Sequence, residues 1–139
     1  MPMTQKVTVW DNELTLSQLS FDQVEQIFAD NDTIQKLRNA GDIGWMRQWK
    51  ENRIKNVLWS INNSHSYPTE DNPMGSDTSP WDRKRLLAHR PWDEANVEIE
   101  RLWYIVVSDL CKLITRPTEG ETQAVTEISN PTGIASVAA

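Results

Sequence analysis

Residues 92–116 read WDEANVEIERLWYIVVSDLCKLITR, and this stretch decides the fold. Ala95, Ile99, Leu102, Trp103, Val106, Leu110, Leu113 and Ile114 recur at steps of three and four, which places them on one stripe of a helix over about 92–115. Asp93 and Glu94 fall in its first turn, where carboxylates complement the helix dipole. Arg116-Pro117 ends it, because proline cannot continue the hydrogen-bond ladder. A stripe of this length needs an apolar surface to cover it, and the rest of the chain has to supply one.

The best match is the segment 45–62, where Trp45, Met46, Trp49, Ile54, Val57, Leu58 and Ile61 follow the same period. Its other face, with Arg47, Lys50, Glu51, Arg53 and Lys55, reads as a solvated and mildly basic surface. Upstream, Ser20-Phe21-Asp22-Gln23 has the spacing of a capping box, so a helix over about 21–30 is expected, with Phe21, Val24, Ile27 and Phe28 on its inner face above Leu16 and Leu19. Asn31-Asp32-Thr33 then closes that helix and caps a short one over 33–40 carrying Ile34, Leu37 and Ala40, which Gly41 and Gly44 end. Ser79-Pro80 has the serine cap and first-turn proline of a further short helix, 80–89, stopped by Pro91.

At the N-terminus, Val7-Thr8-Val9-Trp10 and Glu13-Leu14-Thr15-Leu16 alternate about Asp11-Asn12, which predicts a β-hairpin over 6–16 with a two-residue turn. A lone hairpin is marginal, so it must lie on the helices or pair with a strand of another chain. Homo-oligomerisation is thus an open option. Residues 63–79 contain prolines and carboxylates but little that is apolar, and read as a long mobile loop. Residues 118–139 read as a flexible tail in which Val125, Ile128, Ile134 and Val137 are available to order against a partner. The expected architecture is mainly α: one small helical domain over 1–117 with an N-terminal β-hairpin, a long central loop and a C-terminal tail.

Twenty acidic against fourteen basic residues leave the 139-residue chain at −6, which gives no general attraction to nucleic acid or an anionic membrane. The longest apolar run, Leu102 to Val107, is far too short to span a bilayer. The start of the chain lacks the pattern of a signal peptide, and the single Cys111 suits a reducing, cytoplasmic setting.

Residues that could do chemistry are few and scattered. His65 lies in the polar loop and His89 at the end of a short helix, neither with a second ligand at metal-site spacing, so both read as surface histidines. Cys111 falls beside the apolar stripe with no base next to it and reads as a small hydrophobe. Glu70, Asp71 and Asp77 lack the ligand order of a calcium loop. Glu98 and Glu100, two positions apart on a helix, diverge and cannot act as a carboxylate pair. No catalytic, cofactor-binding or metal-ligating residue is therefore expected.

Two features suggest surfaces instead. Trp-Asp occurs twice, at Trp81-Asp82 and Trp92-Asp93, either as helix-start chemistry or as part of an aromatic anchor patch in a domain with seven tryptophans. Arg83-Lys84-Arg85 with His89 and Arg90 forms a local basic patch that suits an acidic protein partner. The partner-binding candidates are Trp45, Trp49, Trp81, Trp92, Arg83 and Arg85.

The layout of a hairpin feeding Leu14-Thr15-Leu16-Ser17-Gln18-Leu19, an amphipathic middle helix, and a last helix running on to Thr118-Glu119-Gly120-Glu121 resembles the small tail assembly chaperones of long-tailed bacteriophages. The resemblance implies a non-enzymatic protein of the infected host cytoplasm that binds the tape-measure and tail-tube proteins, with no nucleic-acid or membrane partner. A small structural subunit of a phage tail or baseplate, present in the virion, is the alternative. An acidic inhibitor of a host enzyme is a third, weakened by the interspersed Arg and Lys.

Overall fold

In a computed structural model of the chain, which describes residues 3–66 and 81–114, the stripe of the last helix forms the inner wall of a mainly helical domain. In sequence order the elements are β1 (Thr4–Val9), β2 (Asn12–Ser17), α1 (Phe21–Asn39), α2 (Gly44–Ser66), α3 (Arg83–Leu87) and α4 (Trp92–Tyr104). A π-helical turn, Ile105–Leu110, continues α4 without a break. Residues 67–79, Ser79-Pro80, Arg116-Pro117 and 118–139, expected to be loop, helix start, helix stop and tail, lie outside the described residues.

The core gathers around α2, which lies against β2, α1, α3 and α4. Val7, Val9, Leu14 and Leu16 form the buried face of the hairpin and pack with Ile54, Val57 and Ile61 of α2 and with Ile99, Leu102, Trp103 and Val106 of the last helix. The Ser60 hydroxyl donates to the Ser17 carbonyl (2.7 Å) and accepts from the Ser17 N–H (2.9 Å), which clamps the outgoing end of β2 to α2 inside the core. The Trp10 indole donates to the Leu86 carbonyl (2.7 Å) and ties the hairpin turn to α3.

Several boundaries differ from expectation. The hairpin turn is Trp10-Asp11, both residues at positive φ, with Val9 opposite Asn12. This moves the pairing by two residues relative to a turn at Asp11-Asn12, so the alternation survives and the same four side chains face inward. The helices expected over 21–30 and 33–40 are one, α1. Its capping box at Ser20 and Gln23 is present, but Thr33 donates its hydroxyl to the Ala29 carbonyl (3.2 Å) from within the helix instead of capping a new one. Ile27 and Ile34, two turns apart, are both buried, and that burial outweighs the local preference of Asn31-Asp32-Thr33 to break. Phe21 and Phe28 point to solvent, contrary to their expected inward face. The short helix α3 is capped by Asp82, whose side chain accepts from the Arg85 N–H (2.8 Å). Helix α2 runs on through Asn63 to Ser66, into what was expected to be loop. The last helix stops at Cys111, where Lys112 turns left-handed (φ 58°), yet Leu113 and Ile114 still pack on the core.

Candidate functional site: a helix-walled groove

Where α2 and α4 start, their apolar stripes outrun the hairpin and leave a half-open groove of about 880 Å³ between them. One wall is the first half of α2, with Trp45, Met46, Trp49 and Ile54; the other is the first half of α4, with Trp92, Ala95 and Ile99; α3 closes one end through Arg83 and Leu87. Further along, the two helices meet properly: Trp103 donates its indole N–H to the Asn56 carboxamide (3.2 Å), and Ile54 and Ile99 are both buried. The groove exists because the apolar residues of Trp45–Trp49 have no facing layer, while those of Ile54–Ile61 have the hairpin.

The structure brings four of the six sequence candidates, Trp45, Trp49, Trp92 and Arg83, to this one groove. Trp92 is 74 % exposed and Met46 is exposed beside it, whereas Trp45 and Trp49 are half-buried with their rings 6.3 Å apart. Trp81 is a correction: at 5 % exposure it is a core residue, anchoring the start of α3, and it offers no surface. Arg85 stacks over the Trp81 ring at 4.4 Å and lies outside the groove. Sequence reasoning missed Lys50, Asn96 and Glu100, which line it together with Arg90 of the basic patch.

Arg53 is the second correction. Expected on a solvated face, it is 3 % exposed, its guanidinium packed between the rings of Trp49 (4.3 Å) and Trp103 (3.7 Å) and paired with Glu100. Burial pushes its proton affinity below the ordinary arginine value, and Glu100 acts against that shift. Lys50 reaches the same carboxylate at 3.0 Å and lies over the Trp49 ring at 4.8 Å. Arg83 makes a two-pronged contact with Glu51 (3.0 and 2.6 Å), and Arg90 pairs with Glu94 (3.2 Å) while stacking on Trp10 (4.4 Å). The Trp49 indole N–H and the Asn96 carboxamide oxygen are shielded from water without a hydrogen-bond partner among the described residues.

The other candidates do not converge. Glu98 pairs with Arg101 and Glu100 with Lys50 and Arg53, so the two carboxylates face apart. His89 is exposed, in a left-handed conformation (φ 54°), and His65 is half-buried near the end of α2. The Cys111 sulfur accepts the Leu19 N–H at 3.4 Å, and burial raises its thiol above the ordinary value. Among the described residues no group of three or more His, Cys, Asp or Glu is placed to hold a metal ion, and no helix is long and apolar enough to cross a membrane. The chain matches no protein-family model, no curated protein and no solved structure.

Proposed function

We propose that this chain is a non-enzymatic protein-binding protein that receives a segment of its partner in the groove between α2 and α4. The observation that carries this is the unpartnered apolar wall of the groove: Trp92 and Met46 exposed next to Trp45 and Trp49. Burying an apolar side chain of this size is worth about 1.5–3 kcal/mol, and exposed aromatics in such a setting act as binding anchors. The resemblance to tail assembly chaperones specifies the role further. In that setting the partners are the tape-measure and tail-tube proteins, and the work is done in the host cytoplasm.

The test is a photo-reactive amino acid placed at Met46 of the full chain, made in the cell that naturally produces it. Mass spectrometry then identifies whatever the groove attaches to. A long helical protein is the expected product. Attachment to no protein, or recovery of the chain in finished virus particles, contradicts the chaperone role; in the first case the groove itself loses its assignment.

A further inference from the structure

We infer that the segment received by the groove is an amphipathic helix whose apolar stripe is flanked by carboxylates. This rests on the protein-binding role proposed above and adds the chemistry of the partner. It comes from two independent properties of the groove, its backbone and its charge.

Both long walls are helices, which spend their backbone N–H and C=O groups internally beyond the first turn and present no strand edge. An extended peptide buried there would find no ladder to join and would leave its own backbone unpaired, whereas a helix satisfies its backbone internally. The length agrees. From Trp45 to Ile54 the α2 wall spans roughly 14 Å at 1.5 Å per residue, which matches a partner helix presenting side chains over about two and a half turns.

The charge is opposite to that of the chain as a whole. At a net −6 the protein repels acidic partners at long range, yet the groove is locally cationic. Its lining holds Arg47, Lys50, Arg83 and Arg90 against Glu51 and Glu100. Glu51 is taken up by Arg83 and Glu94 by Arg90, while the single carboxylate of Glu100 is shared by Lys50 and the buried Arg53. Arg47 is exposed and makes no ion pair among the described residues. A carboxylate beside the stripe of an incoming helix meets this excess in a site partly shielded from water, where attraction is stronger than on an open surface.

The test uses the full chain and three synthetic helical peptides with one identical leucine stripe at i, i+3, i+4 and i+7: one flanked by glutamates, one by lysines, and one glutamate peptide broken by a central proline. Binding is read by calorimetry and by the indole N–H resonances of the seven tryptophans. The glutamate helix should bind at least about tenfold more tightly than the lysine helix. It should move the signals of Trp45, Trp49 and Trp92 and leave that of Trp59 in place, and Arg47→Glu should weaken it several-fold. The proline peptide should lose most of the affinity.

Equal or tighter binding of the lysine helix would overturn the charge inference and leave protein binding at the groove intact. Failure of both helices to move the groove indoles would overturn both. Residues 118–139, outside the described part, carry Glu119, Glu121 and Glu127 and no Lys or Arg, so this segment is a rival occupant. Unchanged glutamate-peptide affinity in the V125S/I128S/I134S/V137S chain, which keeps the net charge of −6, supports a separate partner. A tighter affinity in that variant would identify the chain's own segment as the occupant and overturn the proposal.

Discussion

Glu100→Gln should destabilise the chain more than Arg53→Met, although Arg53 is the far more deeply buried of the pair. The guanidinium of Arg53 is 3 % exposed, and the carboxylate it shares with Lys50 is 27 % exposed. Removing one partner of a buried ion pair costs about 3–5 kcal/mol, because it strands the other charge away from water. Here water already reaches Glu100, and the rings of Trp49 and Trp103 continue to stabilise the cation by about 0.5–2 kcal/mol. The expected loss for Glu100→Gln is therefore about 2 kcal/mol. Arg53→Met strands no charge: an unbranched apolar chain stays between the two rings, Glu100 keeps Lys50, and the hydrogen bond to Tyr104 is lost, so the loss should be about 1 kcal/mol. The exposed pair Arg90–Glu94 provides the reference, with Glu94→Gln costing about 0.5 kcal/mol or less. Urea unfolding followed by circular dichroism at 222 nm reads all three. With the slope unchanged, Glu100→Gln should lower the midpoint by about 1 M. A loss for Arg53→Met equal to or greater than that for Glu100→Gln would refute the reasoning, since it would mean that the buried guanidinium is itself a net source of stability.

Two further outcomes follow from the backbone and the thiol. Ala88 caps α3 at φ 50°, in the left-handed region where a β-carbon is unfavourable, so Ala88→Gly should be neutral or stabilise by up to about 1 kcal/mol in the same urea assay, and a clear loss would contradict this. Burial raises the Cys111 thiol, opposed by the hydrogen bond from the Leu19 N–H. A thiol raised in the folded state holds its proton to higher pH than in the unfolded chain. Its contribution to stability is thus complete below about pH 8.5 and declines as pH rises from there through the folded value. Cys111→Ser should flatten that alkaline decline, and alkylation of Cys111 at pH 8 should be slower than that of a free thiol; equal rates would contradict the burial effect.

The last helix was legible in the sequence because its apolar period is strong enough to need no context: Ala95, Ile99, Leu102, Trp103, Val106 and Leu110 are all buried. The hairpin face was legible for the same reason, and even a misplaced turn kept Val7, Val9, Leu14 and Leu16 inward. Helix α1 was not, since its apolar residues suit two adjacent faces. Ile27 and Ile34 face α2 because of how the helices dock, which leaves Phe21 and Phe28 outside. Arg53 shows a different limit. A charged residue reads as exposed unless its counter-ion is known, and Glu100 comes from a helix 47 positions away. The aromatic content pointed to a surface, yet the sequence held no sign that Trp81 would be spent on anchoring α3 while Trp92, in the same Trp-Asp dipeptide, stayed exposed. That difference arises from what faces each tryptophan: the buried core beneath one, an open groove beneath the other.

The central claim is that partner binding occurs at this groove and not at the exposed Phe21 and Phe28 of α1. It is tested most directly by capturing the partner identified by cross-linking from Met46 with two double variants of the full chain, M46A/W92A and F21A/F28A, each first checked for an unchanged helical spectrum. The account predicts that M46A/W92A loses the partner by about tenfold or more, while F21A/F28A retains it. Retention by M46A/W92A together with loss by F21A/F28A would contradict it.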